Sequence, residues 1–146
     1  MNVVHLFTGV TGRISRRLYW LGFAAVVIIF GLGRYVLKYH LGASELAVVI
    51  WSAWAAIPLT ALSVKRFNDR DRPVWIGYVV GASVVLFIVA PYFGYLTEDV
   101  GRYSAAEHII FWVLVAISVF SFIDNGFLRG TMGRNRYGPD PIAGIE

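Results

Sequence analysis

The sequence predicts an all-α integral membrane protein, with four transmembrane helices in a compact bundle and both termini in the cytoplasm. The first observation behind this prediction is composition: 58% of the residues are hydrophobic, 15% are charged and the mean hydropathy is +0.64. Soluble domains carry roughly 25% charged residues. The second is that the apolar residues form four runs, each near the ~20 residues that a spanning helix needs. The third is that lysine and arginine collect in the segments on one side of these runs.

The predicted elements follow the apolar runs, at residues 18–37, 46–64, 75–96 and 109–127. They leave no room for a separate soluble domain, so residues 1–146 form one transmembrane domain. Ser15 is placed to cap the first spanning helix, and Pro58 is expected to kink the second. In the third, Gly77 and Gly81 have the small-xxx-small spacing that lets helix backbones approach closely. Residues 1–11 are too short to span and are expected at the membrane interface.

The distribution of basic residues predicts the orientation of the helices. Most lysines and arginines lie before the first run, in the loop 65–74 or in the tail 128–146. Only Arg34, Lys38 and Arg102 fall in or beside the two remaining links. By the positive-inside rule the first group is cytoplasmic. A three-span alternative is disfavoured because it would place the arginines of the tail outside.

Several functional classes are excluded or disfavoured by composition. The chain has no cysteine, which excludes disulfides, thiolate metal ligands and a cysteine nucleophile. The predicted topology spreads His5, His40 and His108 over both sides of the membrane, so no metal site is expected. We predict no catalytic residues and no cofactor. Nucleic acid is not an expected partner, because the basic residues lie between the apolar runs and do not form one face of a soluble domain.

Three segments carry a family resemblance: GRISRRLYW before the first run, SVKRFNDRDRPVW between the second and third, and GRNRYGPDP after the fourth. Their order and placement resemble the bacterial family called domain of unknown function 805. The resemblance implies a small multi-pass protein of the bacterial inner (plasma) membrane and implies no activity. The chain departs from the family's usual loop at Asn68, where a histidine is common, and at Asp71 to Pro73, where a glycine-serine turn is common.

The cytoplasmic segments contain the candidate site residues. We expect their basic side chains to crowd one surface that attracts anions, namely Arg13, Arg16, Arg17, Lys65, Arg66, Arg134 and Arg136. A guanidinium group matches phosphate geometry, and each basic residue near an anionic leaflet contributes about 1 kcal/mol. The alternative is that these residues only orient the helices. Directional hydrogen bonds are available beside them from Asn68, Asp69, Asn135, Tyr137 and Asp140. We hypothesise a network of Arg13, Arg66, Asp69, Asn135 and Arg136, in which Asp69 accepts from an arginine of another segment.

Two ionisable residues lie within predicted spans. Asp124 is close to the cytoplasmic end of the fourth run and is expected to pair with a cytoplasmic arginine. Arg34 is near the opposite face and is expected to extend outward, so it should not meet Asp124. The alternation of Asp69 and Asp71 with arginines suggests mutual neutralisation within the loop.

The function expected from these features is that of a non-enzymatic interaction or accessory protein. Its arginine-rich cytoplasmic face would bind anionic lipid headgroups or a protein partner, including a second copy of the chain. Two alternatives stay open at this point. One is a small transporter or channel subunit that acts as an oligomer. The other is a membrane enzyme acting on a phosphate-bearing lipid, with Asp69 or Asp140 as the base.

Overall fold

A computed structural model describes residues 2–97 and 99–143, and the regular elements in these ranges are all helical. Four helical units in them are long and apolar enough to cross a membrane: Arg16–His40, Glu45–Asp69, Trp75–Phe93 and Ala105–Gly126. The prediction of an all-helical chain with four such units is therefore confirmed for the described residues. Many large apolar side chains point outward, among them Leu21, Ile28, Ile109 and Trp112. Such a surface is suited to lipid contact.

The N-terminal part contains two helices. A short helix, α1 (Val3–Thr8), begins after Asn2 and packs against the second unit. The first long helix, α2 (Arg16–Tyr35), begins after Ser15, whose hydroxyl accepts the N–H of Leu18 at 3.3 Å as predicted. A π-helical turn continues it to His40. The unit is thus longer at both ends than the predicted run.

The second unit is divided into α3 (Glu45–Trp54) and α4 (Ala56–Asp69). The break lies at Ala55, just before Pro58. Because proline has no N–H, the carbonyl of Trp54 loses its usual partner four residues later, which explains a break one turn ahead of the proline. The helix also continues to Asp69, so the prediction of a loop from residue 65 differs from the structure. The partners that allow charged residues to stay helical there come from other segments and are described below.

The third unit consists of α5 (Trp75–Val89) and a 3₁₀ turn (Ala90–Phe93). It packs closely on α4 through two glycines: a Cβ on Gly77 would lie 2.4 Å from Val64 Cγ2, and one on Gly81 would lie 2.0 Å from Thr60 Oγ1. The small-residue spacing therefore serves contact within one chain. The unit ends at Gly94, which has a positive φ of 85°, short of the predicted boundary at residue 96.

The fourth unit is α6 (Ala105–Gly126), preceded by a short 3₁₀ turn (Val100–Arg102). Its start is a capping box, in which the Ser104 hydroxyl accepts the N–H of Glu107 and the Glu107 carboxylate accepts the N–H of Ser104. After Gly126 the tail returns over the start of α2 and the end of α4. The start of α2, the ends of α4 and α6, and the tail therefore meet at one end of the bundle, which we call the arginine end.

Candidate functional site

Asp69 lies at the centre of the arginine end. It is the last residue of α4 and is 4% exposed. Its Oδ1 atom accepts from Arg13, at 3.0 Å from Nε and 2.9 Å from Nη2, and its Oδ2 atom pairs with Arg66 one helical turn earlier. Both arginines are also buried. The carboxylate thus joins the segment before α2 to α4, in the way hypothesised for Asp69.

The remaining donors of these two arginines bind backbone carbonyls of the C-terminal part. Arg13 donates to Thr131 O and Gly133 O, each at 2.6 Å. Arg66 donates from Nε to Asn125 O at 2.8 Å and from Nη2 to Leu128 O. Asn125 is in the last turn of α6, where carbonyls lack helical partners and a cation is favoured. Arg13 and Arg66 are therefore held on several sides by the protein itself.

The tail contacts the end of α4 through its backbone and through Asn135. Thr131 donates its N–H and its hydroxyl to Asp69 O, at 2.8 and 3.0 Å. Asn135 donates from Nδ2 to Asn68 O at 2.9 Å. At Gly130 the tail passes so close that a Cβ would lie 1.9 Å from Asp69 Oδ2. A larger residue at this position would push the tail away from the carboxylate.

Lys65 and Asn68 connect α4 to the N-terminal segment. The Nζ atom of Lys65 donates to His5 O at 2.6 Å, to Leu6 O at 2.9 Å and to Gly9 O. Asn68 Nδ2 donates to Gly12 O at 3.1 Å. Because Lys65 is buried together with Arg13 and Arg66, the expectation that these three help form an anion-attracting surface needs correction. These three charged groups instead contact Asp69 or backbone carbonyls inside the protein.

A second ion cluster surrounds Asp124, which is 2% exposed in the last turn of α6. Arg70 Nε lies 2.9 Å from its Oδ2 atom, and Arg72 Nη2 lies 3.4 Å from its Oδ1 atom. The expected pairing of Asp124 with an arginine of the loop is therefore observed. Arg70 and Arg72 are not among the site residues predicted from the sequence, in which their alternation with Asp69 and Asp71 indicates mutual neutralisation. The apolar sequence around Asp124 is the feature that predicts a partner for its carboxylate.

Arg136 and Tyr137 of the tail lie against the loop after α4. Arg136 Nε is 3.0 Å from Asp71 Oδ1, in a pair whose side chains are about half exposed. The Tyr137 hydroxyl donates to Arg72 O at 2.8 Å, and the Arg136 guanidinium lies 4.8 Å from the centre of the Tyr137 ring. Arg136 therefore contacts Asp71 and not Asp69.

Arg34 lies apart from these groups. It is near the far end of α2, about 27 Å along the helix from Arg16 at 1.5 Å per residue. Its side chain is exposed, and Nη1 is 3.4 Å from the hydroxyl of Ser52. The structure does not bring Arg34 together with Asp124.

A cavity of about 370 Å³ opens at the arginine end, between the start of α2 and the tail. We call it the cationic cavity because its lining includes four arginines, Arg16, Arg17, Arg66 and Arg129, against two aspartates, Asp69 and Asp140. The Asp69 charge is already neutralised by Arg13 and Arg66. Arg16 and Arg17 are exposed side chains, and Arg16 uses Nη1 to donate to Phe127 O at 3.1 Å. The cavity therefore has excess positive charge and suits an anion.

Asp140 is held in its charged form at the rim of this cavity. The backbone N–H of Ile142 and then that of Gly133 donate to its carboxylate, and these hydrogen bonds lower the pKa of Asp140 below its usual value. A carboxylate with a lowered pKa is a weak base. Its position is thus better suited to fixing the tail than to accepting a proton from a substrate.

Comparison with known proteins identifies relatives of the chain. The family model described as "Protein of unknown function (DUF805)" matches residues 7–139. The uncharacterized protein YiiR of Escherichia coli (strain K12) is 33% identical over 138 residues, covering 88% of this chain and 83% of YiiR. The inner membrane protein YhaH of the same strain is 27% identical over 146 residues, covering 97% of this chain and 93% of YhaH. No solved structure matches the chain.

The charge of Asp69 is expected to be essential for stability. Asp69→Asn keeps the shape but leaves two buried guanidinium charges without a counter-ion, which should cost about 3 to 5 kcal/mol of unfolding free energy. Asp71→Asn is the matched control, because its exposed pair with Arg136 should contribute less than about 1 kcal/mol. Thermal unfolding of both variants in detergent measures the difference. Equal losses would show that the Asp69 pairs do not stabilise the fold.

Proposed function

This chain belongs to the DUF805 family of proteins of unknown function, and on that premise we propose that it is a multi-pass inner-membrane protein that binds phosphate groups of anionic lipids at its arginine end. The proposed role is non-enzymatic. In this proposal both termini and the loop after α4 face the cytoplasm. The observation that carries it is the cationic cavity, which opens at the arginine end.

The membrane location is supported by the helices and by one relative. Four units in the described residues are long and apolar enough to span, and their outward faces carry large apolar side chains. YhaH, which aligns with almost the whole chain, is named as an inner membrane protein. The orientation is supported by the arginine end, because Arg13, Arg70, Arg72 and Arg136 all meet there. Basic residues favour the cytoplasmic side.

Binding of a phosphate is supported by the different burial of the arginines at this end. Arg13 and Arg66 are enclosed and share the carboxylate of Asp69, and Arg66, but not Arg13, lines the cavity. Arg16 and Arg17 are exposed on the first turn of α2, where the helix dipole adds positive potential. A headgroup phosphate at the membrane surface lies within reach of such residues, and arginine binds phosphate with two parallel hydrogen bonds.

The geometry gives less support to the enzyme and transporter alternatives. Both carboxylate oxygens of Asp69 are bound by guanidinium groups, and Asp140 accepts two backbone N–H groups, so neither is suited to act as a base. The ionisable residues Asp124 and Arg34 lie at opposite ends of the bundle, because α6 ends at the arginine end whereas α2 begins there. A polar cavity shared between two copies across Gly77 and Gly81 would favour the transporter alternative, but these glycines pack against α4 of the same chain.

The proposed orientation predicts the labelling of single cysteines, since the natural chain has none. Arg102→Cys, at a side chain 86% exposed, should react with a membrane-impermeant maleimide on cells with a permeabilised outer membrane. Met132→Cys, at a residue 76% exposed, should react only after the inner membrane is opened. The opposite pattern would mean that the arginine end faces the periplasm.

Lipid binding is tested with Arg16→Gln combined with Arg17→Gln. At about 1 kcal/mol for each basic residue, the double variant should bind phosphatidylglycerol roughly thirtyfold more weakly. Native mass spectrometry of the purified protein, titrated with phosphatidylglycerol or phosphatidylethanolamine, measures the retained lipid.

The control for this test removes two charges from the other end, by Lys38→Gln combined with Arg102→Gln. It should retain phosphatidylglycerol as the wild type does. Equal retention by both double variants, at unchanged helicity, would contradict a binding site at the arginine end and would leave the arginines with an orienting role.

A further inference from the structure

A second cavity lies deeper in the bundle than the cationic cavity. Its volume is about 410 Å³, and all four helical units contribute to its lining, including Tyr19, Phe23, Leu62, Ser63, Val84 and Phe122. We call it the apolar cavity. Both cavities have volumes within the range of about 300 to 1,000 Å³ that is usual for small-molecule sites.

The two cavities follow one another along the same helices. On α2, Arg16 lines the cationic cavity and Tyr19 lines the apolar cavity. On α4, Arg66 lines the first and Ser63 lines the second. Residues three apart share a helix face and are separated by about 4.5 Å along the axis. The apolar cavity therefore begins about one helical turn below the cationic cavity, on the same faces of α2 and α4.

The C-terminal part repeats this order. Phe122 of α6 lines the apolar cavity, and Arg129, just after the end of α6, lines the cationic cavity. Three separate segments thus change from cationic to apolar in the same direction, away from the arginine end. Two of the four lining serines, Ser83 and Ser118, donate their hydroxyls to carbonyls of their own helices, Val80 O and Leu114 O. They therefore do not require a polar ligand.

We infer that the two cavities form one site for a single phosphate-bearing lipid, whose phosphate binds at Arg16 and Arg17 and one of whose hydrocarbon chains enters the apolar cavity. This inference rests on the proposed function and makes it more specific. A soluble phosphate would use only the first cavity, and an uncharged lipophilic molecule only the second. A molecule with a phosphate at one end and hydrocarbon directly below it matches the order of both.

The first test fills the apolar cavity from α5. Val84→Phe places a larger side chain in the lining, whereas Ala82→Phe, two residues away on an exposed position, adds the same side chain outside it. Binding of long-chain phosphatidylglycerol and of glycerol 3-phosphate is measured for each by native mass spectrometry. We expect Val84→Phe to weaken long-chain lipid binding about tenfold. Glycerol 3-phosphate binding should stay unchanged, and Ala82→Phe should alter neither.

The second test uses the wild-type chain and so does not depend on the variant folding. Phosphatidylglycerol with a photoreactive group in one acyl chain is bound and crosslinked, and the modified peptides are mapped. Crosslinks at residues 59–63, 80–84 and 118–122 are expected. Crosslinks confined to outward-facing positions would overturn the inference.

The outcomes separate the inference from the proposed function. If Val84→Phe binds long-chain lipid as the wild type does, the inference is wrong and the headgroup site stands. If inorganic phosphate binds as tightly as the lipid and displaces it, the ligand is a free phosphate and the inference is again wrong. If the wild type binds neither lipid nor phosphate, the proposed function itself fails.

Discussion

The Asp69 carboxylate, held between the guanidinium groups of Arg13 and Arg66, is the interaction on which the arginine end depends. It brings two buried positive charges within contact of one buried negative charge. Charges removed from water are tolerated only when they are paired and their remaining hydrogen-bonding groups are satisfied. Both arginines meet this condition by donating to carbonyls of the C-terminal part. The hydrogen bonds that satisfy the buried guanidinium groups therefore also fix the tail across the bundle.

This arrangement separates structural arginines from those that can bind a ligand. Arg13 and Arg66, together with Lys65, are enclosed and contact backbone carbonyls or Asp69. Arg16 and Arg17 begin α2 beside them but remain exposed. Because Arg13 and Arg66 are enclosed and share the Asp69 carboxylate, the exposed pair supplies the accessible positive charge of the cationic cavity. The distinction follows from burial and not from residue type, since all four arginines precede or end apolar runs in the sequence.

The sequence predicts the helical fold more completely than it predicts the contacts at the arginine end. Four apolar runs predict four membrane-capable helices because hydrocarbon excludes polar residues over the whole length of a span. The need of Asp124 for an arginine also follows from its apolar surroundings. By contrast, the dense charge of residues 65–69 suggested a loop, whereas these residues extend α4. Their partners are mainly backbone carbonyls, such as His5 O, Leu128 O and Gly12 O, and a backbone carbonyl has no signature in a sequence.

The most direct measurement of the central interaction is a double-mutant cycle on Arg13→Gln and Asp69→Asn, with unfolding free energies determined in detergent. If the buried pair holds the arginine end together, the two changes should be coupled by at least about 1.5 kcal/mol, because the double variant removes both members of the pair. Effects that add to within about 0.5 kcal/mol would mean that Arg13 and Asp69 act independently. The Asp69 carboxylate would then not join the N-terminal segment to α4.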